Sequence, residues 1–180
     1  MMSNKFCWLI EKLADIQKLG EKVILFSSIK RVQELLRVLI FEHFQITASI
    51  INGEVSASTR HDMINKFNKR DGFHVIILST LAAGVGVNVT GANHVIHMSR
   101  EWNPAKENQA TDRVYRIGQT RDVHVYLPIS VSSNFHTLDL KLDNLLEAKQ
   151  RLATHVIVPS KEPSTISERE LEFCVQEVLG

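Results

Sequence analysis

Short segments that are apolar on both faces constrain this chain more than any other feature. Val23-Ile24-Leu25-Phe26 and His74 to Leu78 are nearly unbroken apolar runs, and Ile46 to Ile51, Val95-Ile96-His97-Met98 and Val123 to Leu127 extend the set. A strand with one face in water alternates apolar and polar residues, so runs of this kind must be covered above and below. Between them lie helical periodicities. Phe6, Leu9, Ile10, Leu13 and Ile16 recur before a stop at Gly20, and Val32, Leu35, Leu36 and Leu39 are expected inward on a helix over about 29–43. Met63, Ile64 and Phe67 follow a cap at Ser58 or a neighbour. Alternation of the two patterns predicts an α/β domain with a mostly parallel sheet, helices on both faces and right-handed crossovers. In such sheets ligands gather at the carboxyl ends of the strands. The loops after Phe26, Ile51, Leu78 and Met98 therefore form the candidate region.

Composition narrows the class of function. Hydrophobic residues make up 44% and charged residues 23%, as in an ordinary globular protein, and the longest apolar runs are far short of a membrane span. A formal net charge of +1 is no basic footprint, so nucleic-acid binding has to rest on motif and placement. Cys7 and Cys174, without CxxC spacing, read as reduced core thiols. The histidines lack paired-ligand spacing, and His94 and His97 face opposite sides of one strand, so no metal site is expected.

Residues 109–118 run Gln-Ala-Thr-Asp-Arg-Val-Tyr-Arg-Ile-Gly, with Gln119 next. Arg113 and Arg116, three apart, share one face of a helix opened by Pro104 and closed by Gly118. Guanidinium groups held on a rigid face suit bidentate contact with phosphate oxygens. No glycine is followed by lysine, so there is no P-loop, and no apolar strand ends in an aspartate fit to hold magnesium. The pattern predicts arginines that complete a nucleotide site formed elsewhere. Ser79 to Asn88, with Gly84 and Gly86, follows a strand directly and reads either as a phosphate-contacting loop or as a tight turn. Arg60, beyond Asn52-Gly53-Glu54, reads either as a phosphate contact or as a solvated helix charge.

Taken in order, these segments resemble the second RecA-like lobe of a superfamily-two motor of the Swi/Snf type. Val23 to Ser28 resembles the fourth motif of that family, Asn52-Gly53 through Arg60 to Phe67-Asn68 the next segment, and Ser79 to Asn88 with Gly91-Ala92 the fifth. Trp102-Asn103-Pro104 and Gln109-Ala110 through Arg113 and Arg116 to Ile117-Gly118-Gln119 resemble the sixth and its approach. The likeness spans about residues 5 to 150 and implies a RecA-like three-layer fold.

What it implies about function follows the motifs. Arg116 would be the arginine finger, with Arg113 beside it, the order between the two staying open. Gln109, Gly84, Gly86 and Asn88 would serve the nucleotide, and Ser27, Ser28, Gly53, Arg60, Ser79 and Thr80 the DNA backbone. ATP and magnesium would bind the two-lobe parent and not this lobe alone. The implied partners are a first RecA-like lobe in the same parent chain and double-stranded DNA, with no membrane and no obligate oligomer. Tyr115 departs from the histidine many members carry, and Phe135 to Lys149 looks more like bacterial members, which implies the bacterial cytosol or nucleoid. The competing reading is a non-catalytic nucleic-acid or protein binding module built on a helicase lobe. Residues 1–158 are expected to form the lobe with a helical segment reaching about Lys149, and residues 159–180 a linker and a short helix behind the capping box at Ser167.

Overall fold

The computed structural model describes residues 3–83, 88–101, 103–112, 121–132 and 137–157. Five strands, β1 (Val23–Phe26), β2 (Ser49–Ile51), β3 (Val75–Leu78), β4 (His94–His97) and β5 (His124–Tyr126), form one sheet in the order β2-β3-β1-β4-β5. All of its neighbouring pairs are parallel. The helices are α1 (Asn4–Leu19), α2 (Lys30–Phe44), α3 (Ala57–Lys69), α4 (Thr80–Ala83), α5 (Pro104–Thr111) and α6 (Leu138–Ile157).

Alternation along each strand divides the core between the two faces. Val23, Leu25, Val75, Ile77 and Ile96 pack with Leu9, Leu13 and Ile16 of α1 and Leu36 and Ile40 of α2. Ile24, Phe26, Ile76, Leu78 and Val95 pack with Ile64 and Phe67 of α3 and Ala110 of α5. All four residues of β1 are fully buried, because this central strand has a helical layer on each side. The sheet is thus the middle layer of an α/β/α sandwich, as the apolar runs of β1, β3 and β4 predict. β5 departs from its own apolar run: this edge strand leaves His124 and Val125 exposed.

Local chemistry sets the ends of the elements. Gly20 takes the left-handed conformation at φ 66°, where its N–H reaches the Gln17 carbonyl at 2.9 Å and Glu21 N–H reaches Ile16 at 3.3 Å, a Schellman stop for α1. The Ser56 hydroxyl caps α3 by accepting from the Thr59 N–H at 3.2 Å, so the cap lies two residues before Ser58. Lys22, buried at the foot of β1, donates to the Phe67 and Asn68 carbonyls at 3.0 Å each and so closes the far end of α3.

Several expectations need correction. Leu35 is 44% exposed, since the inward stripe of α2 runs through Gln33, Leu36, Leu39 and Ile40 instead. Cys7 is a free exposed thiol on α1 and not a core residue. β2 starts at Ser49 and not Ile46, because its ladder with β3 begins only at Ser49 opposite Ile76. The short α4 was not foreseen, and α6 runs past Lys149 to Ile157.

Backbone contacts divide the chain into two units, residues 1–101 with 105–128, and 102–104 with 129–180. The first holds the sheet. In the second, Thr137 caps the start of α6 by accepting from the Leu140 N–H at 3.2 Å, and its hydroxyl donates to the Ser130 carbonyl. Asp139 returns the link by accepting from the Ser130 N–H at 3.1 Å. The expected linker from residue 159 and the capping box at Ser167 lie outside the described residues.

Candidate nucleotide and nucleic-acid site

Parallel register brings the candidate loops together. Phe26 stands opposite both Leu78 and His97, and Leu78 opposite Ile51, so four strands end level. The next residues, Ser27, Asn52, Ser79 and Met98, leave the sheet at the same edge. Backbone bonds carry the alignment one step further: Ser27 N–H reaches the Leu78 carbonyl at 3.0 Å, Ser79 N–H that of Ile51 at 3.0 Å, and Met98 N–H that of Phe26 at 2.8 Å.

Side chains then tie the loops to one another. Gln33, buried on α2, donates to the Ser27 carbonyl at 2.6 Å and accepts from the Asn52 amide at 3.3 Å, joining the loops after β1 and β2. At the surface Lys30 pairs with Glu54 across the same gap. Ser79 is buried and spends its hydroxyl on the Ala82 N–H at 3.1 Å, which caps α4. Ser28 and Thr80, from the loops after β1 and β3, have their hydroxyl oxygens 3.1 Å apart and both donate to the carboxylate of Glu101, from the loop after β4. One carboxylate therefore joins three loops.

Glu101 is itself held in place. Its N–H donates to Glu107 of α5 at 3.1 Å, and the same Glu107 oxygen accepts from the Arg100 Nε at 2.8 Å. The Arg100 and Glu107 side chains are 5% and 6% exposed, a buried ion pair at the entry to α5. Sequence reasoning singled out none of Arg100, Glu101 and Glu107. The signal available was an acid four residues beyond β4, in a sheet whose strands β1 and β3 are followed by Ser27-Ser28 and Ser79-Thr80.

The other expected site residues are placed as follows. Gly53 is exposed in the turn after β2, with open space where a side chain would stand. Arg60 lies in the first turn of α3, half-buried: its Nη2 donates to the Val55 carbonyl at 3.2 Å, and its Nε is buried without a partner. Asn88 is exposed, and its carbonyl accepts from the Asn68 amide at 3.0 Å. The Asn68 side-chain oxygen also accepts from the Gly91 N–H at 2.9 Å, and a Cβ on Gly91 would come within 2.7 Å of the Asn68 Cα, so this approach requires glycine. Gln109 is exposed on α5. Gly84, Gly86, Arg113 and Arg116 lie outside the described residues.

Two histidines of β4 take opposite faces. His94 bonds Glu21 through Nε2 at 2.5 Å and stacks on His124 at 5.0 Å, and its burial lowers its pKa although Glu21 pulls the other way. His97 stacks on Phe26 at 4.8 Å and bonds the Thr111 hydroxyl at 3.0 Å. Burial, with Arg100 close by, brings the pKa of His97 down to about 4, so its imidazole is neutral at physiological pH. No group of three metal-ligating side chains stands together among the described residues, and no helix among them is long and apolar enough to cross a membrane.

Comparison with known proteins agrees with this architecture. The family model of the helicase conserved C-terminal domain matches residues 4–118. The Zorya protein ZorD of Escherichia coli O139:H28 is 44% identical over 168 residues, covering 90% of this chain and 16% of that protein. The Bacillus subtilis protein YwqA is 38% identical over 164 residues, covering 91% of this chain and 17% of its own length. The chain thus spans about a sixth of the length of each of these two relatives. Among solved structures, the Sulfolobus solfataricus SWI2/SNF2 ATPase core in complex with double-stranded DNA is similar at a TM-score of 0.67 and 38% identity, over 86% of this chain and 31% of that one.

Proposed function

The chain belongs to the helicase conserved C-terminal domain family, in its Swi/Snf-type form, and from that premise we propose that it is the second motor lobe of an ATP-dependent double-stranded-DNA translocase. The observation that carries this reading is the convergence at one sheet edge. The loops after β1, β3 and β4 meet through Ser28, Thr80 and Glu101, and Arg100 with Glu107 anchors the helix that leads toward Arg113 and Arg116. Two functions adjoin in such an arrangement. Hydroxyls and backbone amides at the strand ends hold DNA phosphates without reading sequence, and Arg113 and Arg116, next in the sequence after α5, are assigned to the nucleotide. A motor needs that adjacency, because movement on DNA has to follow the state of the nucleotide.

In this reading ATP, with its magnesium ion, lies between this lobe and a first lobe. Arg116, with Arg113 beside it, stabilises charge that develops on the transferring phosphoryl group, a contribution worth on the order of a thousandfold or more in rate. Gln109 and Asn88, both exposed, are available to line the nucleotide side. Ser28, Gly53, Arg60 and Thr80 follow the DNA backbone, and the buried Ser27 and Ser79 shape the loops that present them. The test is Arg116→Ala in the parent protein, with ATP turnover measured under saturating ATP and DNA and DNA affinity measured alongside. Turnover should be lost while DNA binding stays largely intact. Near-normal turnover would remove the finger assignment.

A further inference from the structure

At the opposite end of the sheet, under the amino ends of β2 and β3, the surface opens into a recess of about 220 Å³. One wall is a stripe of α3 and its end, where Met63, Phe67 and then Lys66 and Arg70 stand one turn apart. The other wall is formed by Thr47 and Ser49 at the start of edge strand β2, and His74 and Val75 at the start of β3. Cations and hydroxyls thus rim a recess whose floor is apolar.

The obvious reading of Lys66 and Arg70 is compensation of the helix dipole, since basic residues favour a helix carboxyl end. That need is already met from within. The buried Lys22 ammonium donates to the Phe67 and Asn68 carbonyls, the groups that the end of α3 leaves open. Lys66 and Arg70 are exposed and make no ion pair among the described residues. The Arg70 charge is felt nevertheless: after burial, it and the charge of Lys22 lower the pKa of His74. Asp71 is the acid beside this group, set against Lys22, Lys66, Lys69 and Arg70. A positive recess with unspent donors is complementary to a phosphate.

We propose that this recess binds a mononucleotide, its phosphate between Lys66, Arg70 and the hydroxyls of Thr47 and Ser49, and its ring against Met63 and Phe67. A duplex is the poorer fit. A DNA track is a long basic stripe on an open surface, whereas here two cations border a recess of ring size, on a chain of net charge +1. The site lies at the far end of the strands from the proposed motor cleft and does not depend on it.

The experiment is an amide-resolved NMR titration of the 180-residue chain with AMP, with adenosine and a short DNA duplex as comparison arms. AMP should produce saturating shifts at Lys66, Arg70 and His74 and move the His74 imidazole titration to higher pH. Adenosine should not, and the Lys66→Ser/Arg70→Ser double variant, altered only at exposed positions, should lose both effects. Shifts at these residues from the duplex but not from AMP would overturn the mononucleotide assignment. Absence of saturation with AMP, or equal shifts in the double variant, would overturn the site. Shifts confined to the carboxyl ends of the strands would report the motor cleft and would likewise count against the recess.

Discussion

The Arg100 Nε and a carboxylate oxygen of Glu107 stand 2.8 Å apart, with both side chains all but closed to solvent. Charges removed from water to this degree are costly unless each keeps its partner. The same Glu107 oxygen takes the N–H of Glu101, so the pair fixes the start of α5 and the hub of the candidate site together.

Removing one partner should therefore cost more than removing both. Glu107→Leu leaves the Arg100 guanidinium buried without its carboxylate and should destabilise the fold by roughly 3–5 kcal/mol. Arg100→Met combined with Glu107→Leu should recover part of that loss. Urea unfolding of the two single variants and the double variant measures the coupling. Additive effects would show that the ion pair does not act as a unit.

Glu101 makes a prediction about DNA. Ser28 and Thr80, both assigned to phosphate contact, already donate to its carboxylate, so an arriving phosphate competes with a negative charge for the same hydroxyls. Glu101→Gln keeps the shape and removes the charge. One unit charge about 4 Å away is worth on the order of 1 kcal/mol in water, so DNA affinity of the parent protein should rise about fivefold at low salt. Thr80→Val, which removes the donor, should weaken it. Fluorescence anisotropy on a labelled duplex checks both. A Glu101→Gln variant that binds as poorly as Thr80→Val would place Glu101 in support of the loops and not in competition with phosphate.

How much of this was legible in the sequence depends on the range of the interaction. β1 and β3 were readable because burial on both faces leaves an unbroken apolar run, and a parallel sheet followed from their alternation with helices. Ile46 to Ala48 misled for a related reason. Apolarity reports burial, and Ala48 is 1% exposed, but a strand also needs a ladder partner, and β3 supplies one only from Ser49. Leu35 misled because an apolar residue beside an inward stripe looks like part of it. The Glu101 hub was invisible to local pattern, since its partners lie 73 and 21 residues away in sequence. Register alone brings them together. Of the residues that the resemblance names, Ser28 and Thr80 meet at one edge, whereas Arg60 turns back onto its own loop at Val55.

The last prediction concerns pH and rests on His97. In the folded chain its pKa lies at about 4 against an ordinary value of 6.5, with burial as the main cause and Arg100 adding to it. The sign follows from proton counting. Above 6.5 the imidazole is neutral in folded and unfolded chains alike, so its contribution is fully present. As pH falls from 6.5 toward 4, the unfolded chain takes up a proton that the folded chain refuses, and stability drops. A gap of this size corresponds to on the order of 3 kcal/mol across the window. His94 and His74 are shifted the same way by burial and add to the slope, so the informative quantity is a difference. His97→Gln retains a hydrogen-bonding group for Thr111 but cannot titrate. Its unfolding free energy, measured in urea at several pH values between 7.5 and 4.5, should fall less steeply than that of the unaltered chain. Equal slopes would mean that His97 takes up its proton in the fold as readily as it does in water, contrary to its burial against Phe26.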